Sequence, residues 1–388
     1  MAGEWRVRLK NKGKPDVRVL LLIFISFVIS GCQSKVYLMP SPVALRPDGD
    51  LFARTLNLEE DNLLYTLYAT NRSPIDPESS SRGYTIFPGD TLRFGWTAYR
   101  VGEEGQSWEE ILAESLKSER SQDLLLTNEF SREVGVYELD LESEVISPQI
   151  DGYFDEINKL LERAFDKDIL VYIHGANSNF YRATAQGSQF FHFTGHNTIV
   201  LTFSWPSAEN LLKYKTDVLH AKKTIPAFAR LIELLSTHTK ARNINILAYS
   251  AGAQMVAPGL VYLRDKYSDE SAAQLRQRLR IGEVYFAAPD TAFKPFIERY
   301  LKFKDIVSRT TINLNRQDSV LRFSAMQNGV SRLGRPNVSE LDEIETQTII
   351  KAMDRPNLNI LDVGDSAPLN LGKAHDSWYN HPWVSMDV

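Results

Sequence analysis

The sequence predicts an α/β protein with a mostly parallel central sheet and helices on both faces. Three observations lead there. From about residue 152 onward, runs of strand character alternate with runs of helical period, the pattern of successive strand–helix–strand units. The strand runs, such as "DILVYIHG" at 168–175, are apolar with almost no alternation, as expected where both faces of a strand are covered. Several of these runs end in a serine or aspartate, at the carboxyl ends of strands where such sheets place their sites.

The chain opens differently. A basic stretch, "WRVRLKNKGK" with Arg18, precedes the apolar run "VLLLIFISFVI", which reads as a secretory signal. That run is well short of the roughly 20 residues a membrane-spanning helix needs. It leads into "ISGC" at 29–32, which resembles the lipobox of bacterial lipoproteins, and Cys32 is the only cysteine. Without a partner it forms no intramolecular disulfide, so lipidation accounts for it. The resemblance implies cleavage before Cys32 and acylation there, with several chains together making a stable anchor. Gln33 rather than aspartate after the cysteine implies an outer-membrane address facing the periplasm. Residues 1–31 are thus expected to be a signal peptide, 32–60 a proline-containing tether, and 61–388 the folded domain.

Composition bounds the rest. The 388 residues are 43% hydrophobic and 24% charged, enough for one large core. Lys plus Arg number 44 against 49 Asp plus Glu, so no basic surface calls for nucleic acid. No metal-ligand spacing occurs, and neither metal nor cofactor is expected.

Within the domain, "LLYTLYATNR" (63–72) and "TLRFGWTAYRV" (91–101) read as strands. Ser107 with Glu110 three positions later forms a capping-box pattern ahead of a short helix. "FDEINKLLERAF" places Phe154, Ile157, Leu160, Leu161 and Ala164 at helical spacing, and the strand at 168–175 follows. "NTIVLTFSW" is the next strand, "TIPAFARLIELLSTHT" an amphipathic helix, and "NINILAYS" a strand leading to a helix after Ser250 that Pro258 should kink or shorten. "GEVYFAAPD", "RTTINLNRQD" and "NLNILDV" complete the series.

Chemistry centres on Ser250. Two positions to either side lie Ala248 and Gly252, small as a sharp strand-to-helix elbow beneath a nucleophile requires. "VYIHGANSNF" ends an earlier strand in His-Gly, where an α/β-hydrolase builds half of an oxyanion hole; by position, Ala176 and Ala251 would donate the two backbone N–H groups. His174 precedes the nucleophile and reads as structural. A serine needs a base and an orienting acid, which in this fold follow it in chain order. Of the two later histidines, His375 follows the last strand by a loop long enough to return over the sheet, whereas His381 precedes Pro382 and reads as packing or surface. Asp290 and Asp318 both end strands. The usual position after the strand once removed selects Asp318; Asp290 would line the site or cap the next helix. Asp362 and Asp365 read as loop residues.

Taken together, "YATNR", "VYIHGANSNF", "FSWPS", "NILAYSAGAQMV", "FAAPD", "NRQDSVLRFS" and "AHDSWY" resemble a bacterial family of α/β-hydrolases of esterase/lipase type, over roughly residues 60–388. The resemblance implies Ser250 as nucleophile, Asp318 as acid and His375 as base. Departures are Ala248 for glycine, Ala176 where an aromatic residue is frequent, and Asp376 where serine commonly follows the histidine, a carboxylate able to compete for the imidazole. The expected activity is cleavage of small acyl esters or lipids by a lipid-anchored serine hydrolase. The alternative is an inactive hydrolase-fold protein serving envelope binding or assembly. The segment 324–356 either shapes the pocket or is a surface excursion.

Overall fold

A computed structural model describes residues 35–43, 45, 51–52, 62–76, 78, 83–117, 119–139, 145–353, 357–364 and 374–388. The signal segment, Cys32 and Asp365 lie outside the described residues.

Among the described residues ten strands form one sheet: β1 (Val36–Tyr37), β2 (Leu63–Pro74), β3 (Tyr84–Val101), β4 (Leu125–Glu138), β5 (Ile169–Ile173), β6 (Ile199–Phe203), β7 (Ile244–Tyr249), β8 (Ile281–Ala287), β9 (Arg309–Leu314) and β10 (Leu358–Asp362). Their order is β1-β4-β3-β2-β6-β5-β7-β8-β9-β10. From β2 to β10 every neighbour is parallel, while β2, β3, β4 and β1 pair antiparallel at one edge. The α/β expectation holds, with an antiparallel wing added.

Both faces are buried, which explains the uninterrupted apolar strands. Along β7, Ile244, Ile246 and Ala248 join a core shared with helices Pro148–Arg163, Ile225–His238, Ala253–Lys266 and Phe293–Phe303. Leu247 and Tyr249 point the other way, into a second core with Phe190 and Trp378. Alternate side chains therefore feed two layers. The Ser107–Glu110 capping box forms as expected, with both reciprocal bonds present.

Several elements depart from the sequence reading. Strand β4 was not anticipated: its mixed burial pattern carries no clear alternation. Neither was helix Phe180–Phe193, which has twelve of its fourteen residues buried and so shows no polar face for a helical period to reveal. The expected tether is in part folded. Val36 and Tyr37 pair with Leu126 and Leu125, Leu38 and Met39 are buried, and Arg120 donates to the carbonyls of Leu38 and Met39. The folded body thus begins at Val36, because two apolar residues gain a core position that composition alone did not signal.

Candidate active site

Strand β7 ends at Tyr249, and Ser250 opens a single 3-10 turn, Ser250–Gly252, before helix Ala253–Lys266. Ser250 has φ +50°, a left-handed conformation that costs a non-glycine residue of order 1 kcal/mol or more and persists only where its surroundings enforce it. The N–H of Asp290 supplies one such constraint, donating to the Ser250 carbonyl at 2.9 Å. The helix continues through Pro258 for its 14 residues, so the proline does not shorten it.

The two small flanking positions have different reasons from the one expected. A Cβ on Gly252 would lie 2.9 Å from the carbonyl oxygen of His174 and 3.0 Å from that of Ile173. Gly252 is therefore demanded by the end of β5 rather than by Ala248. Ala248 itself is fully buried between Ile173 and Phe286 in the sheet. On the other side, a Cβ on Gly175 would stand 3.0 Å from Ser250 Cβ, so the 174–176 loop lies directly against the serine.

Ser250, His375 and Asp318 come together. Nε2 of His375 lies 2.9 Å from Ser250 Oγ, and its Nδ1 lies 2.7 Å from Asp318 Oδ2. The carboxylate requires a proton on Nδ1, which leaves the lone pair of Nε2 facing the hydroxyl. Asp318 is wholly buried, and its other oxygen, Oδ1, accepts from the N–H of Leu321 at 2.9 Å, capping helix Ser319–Asn328. One carboxylate thus starts a helix and fixes a ring. Burial alone would lower the His375 pKa, but the Asp318 hydrogen bond and charge, with smaller contributions from Asp376 and Asp290, outweigh it and raise the value above 6.5.

Asp376 does not compete for the imidazole. Its Oδ1 accepts from the Tyr249 hydroxyl at 2.6 Å, and the Tyr249 ring packs 5.4 Å from the His375 ring. Asp290 does not cap the following helix, whose N-cap is Ala292 with no side-chain bond. Its carboxylate instead accepts from Tyr214 Oη at 2.5 Å, Ser324 Oγ at 2.8 Å and Arg332 Nε at 2.5 Å. Asp362 pairs with Arg316 at the end of β10. His381 sits half-buried at the end of the short helix Ser377–Asn380.

His174 is structural, as read from the sequence. It is fully buried and stacked on Trp205 at 5.1 Å, with Nδ1 2.7 Å from the Gly175 carbonyl. Burial first, then the nearby Arg72 charge, holds its pKa down at about 3. Trp205 Nε1 donates to the His174 carbonyl at 2.7 Å.

Sequence reasoning missed two buried charged residues behind this loop, Arg72 and Asp217. Arg72, fully buried, donates to the carbonyls of Ser178, Ser207 and Thr85 and to Ser204 Oγ. Its pKa is lowered to about 9 by burial, against the pull of Asp217. Asp217 accepts from the N–H groups of Asn177 and Ala208. The signal was an arginine closing the otherwise apolar β2 run, where a lone charge has to find buried acceptors.

The segment 324–356 contributes Ser324 and Arg332 to the Asp290 cluster, and also helix Glu343–Met353. Beside that helix lies an apolar cavity of about 290 Å³, lined among others by Phe293, Leu333, Ile349 and Leu358 and by none of Ser250, Asp318 and His375. Among the described residues no group of three or more His, Cys, Asp or Glu is placed to hold a metal ion, and no helix is long and apolar enough to cross a membrane.

A family described as alpha/beta hydrolase of unknown function (DUF900) matches residues 152–379. An uncharacterized protein of Nostoc sp. (strain PCC 7120), alr1448, is 26% identical over 186 residues, covering 40% of this chain and 46% of that protein. The match thus spans less than half of that relative. Among solved structures, a thermophilic esterase, Est2, from the Planctomycetes species Thermogutta terrifontis overlays with TM-score 0.30 at 11% identity, covering 52% of this chain and 72% of that one. Esterase B from Lactobacillus rhamnosis overlays with TM-score 0.31 at 8% identity, covering 57% and 73%.

Proposed function

Because this chain belongs to the family of α/β hydrolases of unknown function (DUF900), we propose that it is a serine hydrolase of carboxylic esters working through Ser250, His375 and Asp318. The observation that carries the reading is the continuous relay from carboxylate to imidazole to hydroxyl, at 2.7 and 2.9 Å. Its chemistry follows from the parts. Ser250 Oγ attacks the ester carbonyl as Nε2 takes its proton. The imidazolium so formed is stabilised by Asp318 and returns the proton to the leaving alkoxide. Water, activated by the same nitrogen, then frees the acid and regenerates the serine.

The N–H groups of Ala176 and Ala251 are assigned to the oxyanion. Support comes from the close approach of Gly175 to Ser250 and from the 3-10 turn that begins at Ser250. Such donors help because they are fixed before charge develops. The loop bearing Ala176 is fixed in turn by Arg72, Asp217 and Trp205. Esters are favoured over amides because an alkoxide leaves with less help from a general acid. We further assign Cys32 as the lipidation site and the outer membrane, periplasmic side, as the location, on the lipobox-like "ISGC".

A fluorophosphonate probe tests the proposal. Wild type is expected to label and Ser250→Ala to lose labelling while keeping its fold. A folded wild type that never labels would return the chain to the non-catalytic envelope role.

A further inference from the structure

Helix Ser319–Asn328 starts at the acid of the relay and presents an apolar stripe to solvent. Val330 is exposed just past the Gly329 cap of the helix, and within it Val320, Phe323 and Met326 are 46%, 61% and 76% exposed. Spacings of three residues put them on one face, opposite Leu321 and Ser324, which are buried. A second segment approaches the same helix from its buried side. Tyr214 Oη lies 3.1 Å from Ser324 Oγ, and two residues before Tyr214 stands Leu212, 94% exposed.

Scattered single apolar residues on a surface need no account; a contiguous set does. This set is accompanied by cations. Lys213, Lys215 and Arg322 are exposed, and no ion pair joins them to a carboxylate among the described residues. Of the acidic groups in the same stretch, Asp217 is buried beneath the N–H groups of Asn177 and Ala208, and Glu209 accepts from Asn179 Nδ2 and keeps its charge. In a chain of net charge −5, large apolar side chains flanked by unpaired lysine and arginine match one kind of partner: apolar groups enter the acyl boundary and cations meet anionic headgroups.

We propose that the face formed by Val320, Phe323, Met326 and Leu212, with Lys213, Lys215 and Arg322 around it, docks on an anionic lipid surface. The serine-hydrolase reading enters only through the consequence, that the ester cleaved is presented from the lipid phase. Docking is tested without turnover, so the two ideas can fail separately.

The test uses the full chain with Cys32→Ala, so that a single introduced cysteine carries an environment-sensitive fluorophore. One variant bears it at Phe323→Cys, and the other at Glu162→Cys, on the helix that precedes the amino end of β5. Vesicles of phosphatidylcholine, with or without phosphatidylglycerol, are added. The expected result is a blue shift and several-fold brightening at position 323 with the anionic vesicles. High salt should weaken it, as screening requires, and position 162 should not show it. Equal responses at both positions, or none at 323 with either vesicle, would overturn the proposal. So would a concentration-dependent change at 323 without lipid, which would assign the face to a second copy of the chain. For function, Phe323→Ser with Met326→Ser should slow hydrolysis of a vesicle-borne long-chain ester about tenfold and leave a dissolved short-chain ester nearly unchanged. Equal slowing of both would count against docking.

Discussion

The N–H of Asp290 donates to the carbonyl of Ser250 at 2.9 Å, tying the first residue after β7 to the loop after β8. The left-handed backbone of Ser250 is thereby braced by a residue whose own carboxylate is anchored in a buried cluster. Gln254 Nε2 and one Arg332 nitrogen also donate to the Asp290 carbonyl. What holds the elbow is a knot of three chain segments, around 250–254, 288–291 and 324–332.

That knot makes the Asp290–Arg332 pair a stability element. Both side chains are almost fully buried, at 3% and 4% exposure, and removing one partner of such a pair strands a charge in low dielectric. Arg332→Met is expected to cost about 3–5 kcal/mol in urea unfolding. Adding Asp290→Asn should restore part of the loss. A cost below about 1 kcal/mol, the range of exposed pairs, would show that the knot does not carry the elbow.

The raised pKa of His375 has a signed consequence. In the proposed reaction neutral imidazole is the base, so kcat/KM is expected to climb with pH through a midpoint above 6.5. For stability, protonated His375 is favoured in the folded state, so its contribution is complete below pH 6.5 and fades as pH rises through the folded pKa. Asp318→Asn removes the charge but keeps an oxygen to accept from Leu321, so the helix cap survives. The midpoint should then fall, because only the smaller contributions of Asp376 and Asp290 still oppose burial, and the rate should drop by roughly 10⁴ as the wrong tautomer is favoured. A pH–rate profile of both forms checks this; an unmoved midpoint would contradict it.

Gly252→Ala tests the packing of the elbow on β5. Its Cβ would meet two carbonyl oxygens at about 3 Å, and backbone cannot swing aside as a side-chain tip does. The cost expected is about 1–3 kcal/mol, with probe labelling of Ser250 slowed because the 174–176 loop is pushed from the serine. Wild-type stability and labelling rate would refute the contact.

Much of this molecule was legible along the chain. Strands β5 to β8 announced themselves as largely apolar runs, because a strand buried on both faces has little polar side to show. Ser250 was marked by its small neighbours, and His375 by following the last strand. Other features had no local trace. Helix Phe180–Phe193 is buried all round, which erases the helical period. The docked residues 36–43 owe their place to β4 and Gln189. Two aspartates ended strands; chain position favoured Asp318, and the fold then showed it against the imidazole and gave Asp290 to Arg332. The physical reason is separation: the relay joins residues 57 and 125 positions apart. Local propensity sets where each strand ends, but the order in which strands pair sets which ends meet.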